Sequence, residues 1–434
     1  MNTRESSKTA DFGEARATVP FTCPGCGWTG EFDGRFTTWC ERCGYGADPQ
    51  PGEVDKPRVV RRRARARARS VAQFEVLRTA KSLRPASATG VAVTVLATLV
   101  HLTVALLFAG SAWLVLGPHQ PMADRFFGVL GLGVAFVGRP RLLRRKPKKL
   151  DGWKERGDAP LFFALLDTCA AELGVATPDR VGFGDMFNAS TSRYGLPAKP
   201  YLTIGVPIWS VLSGQERVAL LGHELAHQAN GDISHGVWAS SAQRTLAELL
   251  ALLDPRQSPL ERRLTRRRSS MYGRKSTGTS GAFDRIAPMF AAVVFGPLFL
   301  VMWAYRRGLR KLDLACGHRA EYLADELGAR LGSSAAVIGV MDALALSDSA
   351  QFYLRQQANS SRGLLDYLHS IPEHEKRRRV FLQEAEGTRV DATHPPTYLR
   401  RALLTARPQL PGTVHIDEAQ WALIDAELTR RRDW

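Results

Sequence analysis

The sequence predicts a mainly α fold with a small β-sheet, a metal-stapled module at its N-terminus and a transmembrane hairpin. Three observations predict it. Cys23, Cys26, Cys40 and Cys43 form two Cys-x-x-Cys pairs. An uncharged apolar run, VAVTVLATLVHLTVALLFAGSAWLVL, covers Val91 to Leu116. Further on, apolar residues recur at helical spacing, and just two stretches, DRVGFGDMF and YLTIGVPIWSVL, are β-rich.

The bulk numbers agree with a folded protein. The chain has 434 residues, room for two or three domains, with 44% apolar and 23% charged residues. The formal net charge is +17, which suggests an acidic partner, nucleic acid or the anionic face of a membrane. The first twenty residues have no apolar core, so no secretory signal is expected. The cysteine cluster has metal-site spacing rather than that of a disulfide framework, and favours a reducing compartment.

Each element follows in order. CPGCGW and CERCGY each place Gly after a Cys-x-x-Cys pair, which permits a tight knuckle. Two knuckles give four thiolates, enough to close a structural zinc site, so residues 1–50 resemble a zinc ribbon. RRRARARARS, Arg61 to Ser70, reads as a solvated basic tract, and residues 51–87 as a basic linker. The apolar run can span a bilayer. After a turn, FFGVLGLGVAFV, Phe126 to Val137, is a shorter second run, and RPRLLRRKPKK, Arg139 to Lys149, follows at once. Basic clusters on both outer sides predict a hairpin over residues 88–138 with both ends cytoplasmic. Lipid and topology account for the basic tract, so no nucleic acid is expected.

From Asp151 the chain reads as a soluble domain, taken as residues 151–434. APLFFALLDTCAAELG has helical spacing and ends at Gly174. SGQE, Ser213 to Glu216, has the spacing of a capping box and opens a helix. On that helix lies GHELAHQANGD, with His223 and His227 four residues apart on one face. Two such imidazoles can hold one zinc, and Glu224 beside them can take a proton from the attacking water. A catalytic zinc needs a third protein ligand. HRAEYLADELGARLG supplies Glu321, and Asp325, one turn on, can hold a histidine N–H from behind.

His-Glu-Leu-Ala-His followed by Glu-Tyr-Leu-Ala-Asp resembles the HtpX-like family of membrane-anchored gluzincin metallopeptidases, which are related to the CAAX prenyl endopeptidases. The resemblance runs from about Ala159 to Leu404. It implies that Glu321 is the third zinc ligand and that Asp325 is the family's aspartate. It also implies that Asn188 and Ala189 form a substrate-contacting segment. The strand Leu202 to Pro207, with Leu202 and Ile204, would pair with substrate. THPPTYLRR matches a late element, placing His394 as the oxyanion donor and Arg400 near the substrate.

Two features depart from that family. The ribbon lies outside its core. Between the two motif helices it has two clear spans, whereas this chain has one clear run, IAPMFAAVVFGPLFLVMWAY, Ile286 to Tyr305. VWASSAQRTLAELLALLD, Val237 to Asp254, carries Arg244 and Glu248. Because His227 and Glu321 must meet, the chain between them crosses an even number of times. Gly296 and Pro297 break the later run, which reads as re-entrant or half-buried. The basic stretches ERRLTRRRSSMYGRK and RRGLRK on its flanks favour the cytoplasm.

The expectation is an integral, multi-pass cell-membrane zinc endopeptidase with ribbon and catalytic domain in the cytoplasm. It would use two zincs, one catalytic and one structural, and act through a zinc-activated water on proteins or peptides at the membrane. The rivals are a catalytically inactive scaffold binding a partner or nucleic acid, and a prenyl-protein processing protease.

Overall fold

The computed structural model describes residues 18–48, 57–80, 82–83, 88–141, 153–194, 199–230, 232–253, 282–356, 363–386 and 394–429. The basic residues 142–149 and the stretch 261–275 lie outside the described residues. The chain forms two compact units. The first comprises Met1–Pro85, Arg145–Asn230 and His318–Trp434, and the second Ala86–Arg144 and Gly231–Gly317.

The first unit opens with a two-stranded antiparallel ribbon, β1 (Thr18–Thr22) and β2 (Thr29–Asp33). Helix α1 (Pro57–Thr79) follows. The basic tract is therefore helical. Its residues Ala66, Ser70, Phe74 and Leu77 are buried, a single stripe at helical spacing. Phe74 and Leu77 pack with Tyr322, Leu399 and Leu403. That anchoring holds in place a segment whose composition reads as a solvated linker.

The rest of this unit is built on a four-stranded sheet of β3 (Trp153–Lys154), β4 (Arg180–Gly184), β5 (Ala189–Tyr194) and β6 (Lys199–Gly205). The strand order is β3-β4-β6-β5. β4 runs parallel to β6, and β5 antiparallel to it. Gly205 ends β6 because Met186 and Asn188 pass too close for a side chain, and its N–H donates to Asn188 O at 2.8 Å. Helix α4 (Pro160–Leu173) packs Phe162, Leu166 and Cys169 into the core with Leu202 and Ile204.

Short α5 (Val206–Val211) leads to α6 (Gly214–Ala229), whose N-terminus carries the expected Ser213–Glu216 capping box. Leu221 and Leu225 of α6 join the core beside the sheet. Helices α9 (Ser334–Ala345), α10 (Ser347–Gln356), α11 (Leu364–His369), α12 (Glu373–Glu386), α13 (Thr397–Ala406) and α14 (Glu418–Thr429) complete the unit. Two polar ties lock α14 in. Glu427 accepts from the N–H groups of Leu161 (3.0 Å) and Phe162 (3.1 Å) at the start of α4. Arg217 of α6 donates to Asp425 at 2.9 Å and stacks between Trp209 and Trp421.

In the second unit α2 (Ala88–Leu116) meets α3 (Met122–Val137) where Gly128 and Gly131 leave no room for a side chain beside Ser111. Among the described residues, α2 is the one helix long and apolar enough to cross a membrane. α3 has 16 residues, short for a span. Helix α7 (Asp232–Leu253) packs on α2 through Ala239 and Ala242. Its Glu248 forms an ion pair with Arg141, and its Arg244 is exposed.

Helix α8 (Ala282–Gly332) runs 51 residues without interruption. This corrects the re-entrant reading of Ile286 to Tyr305. Pro288 and Pro297 each remove one intrahelical hydrogen bond, but the helix continues through both. In the second unit, Tyr305 Oη donates to Leu96 O at 2.7 Å and Leu309 is buried against α2 and α7. From His318 on, α8 belongs to the first unit.

Candidate metal centre

Helices α6 and α8 touch because small residues line their contact. A side chain on Gly328 would sit 3.0 Å from Ala219 O and 3.2 Å from His223 N. One on Gly332 would collide with Ala219 at 2.6 Å. Their absence lets the backbones close until His223, His227 and Glu321 face one point. His223 Nε2 lies 3.7 Å from Glu321 Oε2, and His227 Nε2 lies 3.7 Å from Glu321 Oε1. The three donor atoms lie within 4.8 Å of one another. Four-coordinate zinc with bonds of about 2.1 Å places its ligand atoms roughly 3.4 Å apart, so the set fits with small adjustments. Glu321 Oε2 is buried without a hydrogen-bond partner. A buried, unsatisfied carboxylate oxygen between two imidazoles is what a cation would satisfy.

Asp325 holds this arrangement from behind. Its Oδ1 lies 3.0 Å from His223 Nδ1, which leaves Nε2 for the metal. Arg400 donates to the same carboxylate twice, Nε to Oδ2 at 2.7 Å and Nη2 to Oδ1 at 2.5 Å. Burial works against charge on Asp325, but Arg400 and His223 outweigh it and hold the carboxyl below its usual range. Glu321 is shifted the same way: burial opposes its charge, and His394, Arg400 and the two histidines outweigh it. The arginine side chain is 12% exposed, and its Nη1 lies 3.5 Å from Glu321 Oε2. Arg400 thus supports the ligands through Asp325.

His394, at the start of the segment leading into α13, places Nδ1 2.9 Å from Glu321 Oε1 and is 59% exposed. It therefore reaches the centre from the solvent side. Glu224 is 7% exposed on the α6 turn that carries both histidines. Asn230, unremarked in the sequence, caps α6 and donates from Nδ2 to Ala320 O at 3.2 Å. It ties the end of the histidine helix to the residue before Glu321. The signal was available: an Asn directly beyond the motif helix.

The expected substrate strand needs a correction. β6 is hydrogen-bonded to β4 on one side and β5 on the other, so its main chain has no edge to offer. Leu202 and Ile204 are fully buried in the core. Among the described residues the edge strands are β3 and the longer β5, which begins at Ala189 directly after the exposed Asn188.

The cysteines form a separate cluster. Cys23 Sγ lies 3.5 Å from Cys43 Sγ, and Cys26 Sγ 3.5 Å from Cys40 Sγ, with none joined in a disulfide. A tetrahedral zinc with bonds of about 2.3 Å separates its sulfurs by roughly 3.8 Å, so this set also fits. Burial opposes ionisation of Cys40, but the backbone N–H groups of Cys43 and Arg42 and the neighbouring thiols bring it down to about 7. The knuckles rest on α12. Trp39 Nε1 donates to His374 O at 3.1 Å, Arg378 donates to Ala47 O at 2.7 Å, and Arg377 pairs with Glu41 at 2.8 Å. Phe381 packs against Trp39, with ring centroids 5.3 Å apart.

Two helical histidines facing a buried glutamate, with an acid beside the first histidine, define a metallopeptidase-type site. Residues 193–407 match peptidase family M48. The matched segment contains His223, Glu224, His227, Glu321 and His394, and it supports an M48 metallopeptidase, a protease class that depends on zinc. The ribbon, α1, α2 and α3 lie outside it. No curated protein and no solved structure matches the chain.

Proposed function

We propose that the protein is an integral membrane zinc endopeptidase that hydrolyses peptide bonds of proteins at or near the membrane. The observation that carries this reading is the buried Glu321 carboxylate, with one oxygen unsatisfied and both imidazoles 3.7 Å away. When bound, zinc at His223, His227 and Glu321 supplies Lewis-acid polarisation of the scissile carbonyl and makes the attacking water more acidic. Glu224 takes the proton of that water on its carboxylate and delivers it to the leaving amine. His394 donates to the carbonyl oxygen as negative charge develops there. With Nδ1 turned to Glu321, this donation falls to Nε2. Asp325 and Arg400 keep His223 in the tautomer that presents Nε2.

The substrate's main chain adds to the open edge of β5 from Asn188 and Ala189 onward. Recognition through main-chain pairing is largely blind to side chains, so the cleavage preference is broad. The apolar α2 supports a membrane location, and the basic residues on both sides of the α2–α3 pair support cytoplasmic ends. A structural zinc at Cys23, Cys26, Cys40 and Cys43 would hold together the knuckles that Trp39 and Ala47 seat on α12.

The test is casein hydrolysis by the purified full chain in detergent micelles. Cleavage that a chelator abolishes and added zinc restores is the expected result. Cleavage indifferent to the chelator, or none after zinc loading, contradicts the reading.

A further inference from the structure

Helix α1 carries arginine at 58, 61, 62, 63, 65, 67 and 69, with no acid between them. At roughly 100° per residue, Arg58, Arg61, Arg65 and Arg69 fall on one stripe. The buried stripe of Ala66, Ser70, Phe74 and Leu77 lies about 130° further round. The arginines of the first stripe are exposed. This arrangement costs the helix stability. Arg61 and Arg65, and Arg65 and Arg69, are like charges one turn apart, which repel. Arg58 and Arg61 also sit at the positive end of the helix dipole, and the first turn has no acid to offset them.

The other end of α1 is firmly held. Phe74 and Leu77 pack on Tyr322, the neighbour of Glu321, and on Leu399, the neighbour of Arg400. Arg407 caps the helix, donating to Leu77 O at 3.4 Å and Ala80 O at 3.1 Å, and also reaches Glu326 of α8 at 3.4 Å. So α1 is a fixed projection of the catalytic unit with a dense cationic half.

We infer that the arginine stripe of α1 is a docking surface for anionic lipid headgroups, which fixes the catalytic unit against the bilayer surface. This rests on the membrane reading above. Charge complementarity argues for it, since a polybasic helix beside a span gains attraction from each arginine at an anionic surface. Continuity in the chain argues for it too: just eight residues separate Thr79, the end of α1, from Ala88, where the apolar α2 begins. Nucleic acid fits less well. The basic half has no exposed aromatic residue on which a base could stack.

The full chain in nanodiscs of phosphatidylcholine alone, and of phosphatidylcholine mixed with phosphatidylglycerol, gives the test. Amide hydrogen exchange over residues 58–70 should slow about fivefold or more in the anionic discs. High salt should remove the difference. So should the combined variant Arg58→Gln, Arg61→Gln, Arg65→Gln and Arg69→Gln, which leaves the metal centre untouched. Equal exchange in both discs, with the chain still embedded, overturns the inference alone. Protection by a single-stranded oligonucleotide but not by anionic lipid also overturns it, in favour of a nucleic-acid surface. Release of the chain from native membranes by alkaline carbonate overturns the membrane reading and this inference together.

Discussion

Asp325 has two partners, and both depend on its charge. Its carboxylate fixes His223 through Nδ1 at 3.0 Å and anchors Arg400 through two bonds. Asp325→Asn keeps the shape and loses the charge. Zinc affinity of the catalytic centre should then fall by about 10- to 100-fold, read by competition with a chelating dye. An unchanged affinity would mean that His223 is oriented by other means. Glu427 is a case of plain stability. Its carboxylate accepts from two N–H groups at the start of α4. Glu427→Ala strands those donors in a buried place and should cost about 2 kcal/mol in urea unfolding. At this scale His223, His227 and Glu321, which the structure brings together, stand out in the sequence, because a four-residue helical spacing is a local signal. Arg400 was not legible as a support. Its partner lies 75 residues away in the chain, and nothing local marks it as buried.

The contact between helices α6 and α8 sets the ligand spacing. Gly328→Val would place methyl groups against Ala219 O and the His223 backbone, where even a Cβ has only 3.0 to 3.2 Å. The helices must part, and the catalytic zinc should be lost while the ribbon zinc stays. Metal content should fall from about two per chain to about one. Retention of both would show that the contact tolerates bulk and does not position the site.

The ribbon platform makes a pH-dependent contribution. Glu375 on α12 is held by Arg378 at 2.6 Å and Arg379 at 2.9 Å. Burial opposes its charge, but the two arginines outweigh it and keep its carboxyl below the usual range. A carboxyl depressed in the fold stabilises above its unfolded value, and that stability is lost as pH falls through the folded value. Wild type should therefore lose more stability than Glu375→Gln as pH drops below about 4.3. Parallel acid titrations of the two proteins, followed by tryptophan fluorescence, give the comparison; coincident curves would contradict it. The strands show what a local reading misses. The family resemblance assigned the substrate strand to Leu202 to Pro207, most of which lies in β6. Strand order depends on distant partners, and it puts β6 inside the sheet and β5 at the edge.

Across the whole molecule, local patterns were read well and distant packing poorly. The apolar run, the knuckles and the capping box each carry their own signal, and each appears as a helix, a thiol cluster or a cap. The continuity of α8 through Pro288 and Pro297 could not be read from residues that usually break helices. Nor could the docking of α1, whose Arg-Ala repeats hide four small or apolar positions at helical spacing. The central claim, that the chain is a working peptidase, rests on Glu224 moving a proton without binding the metal. The most direct measurement is zinc content together with casein hydrolysis in wild type and Glu224→Gln, prepared alike in micelles. The account predicts equal zinc and a rate lower by about a hundredfold or more in the variant. Cleavage by the variant at the wild-type rate would contradict it.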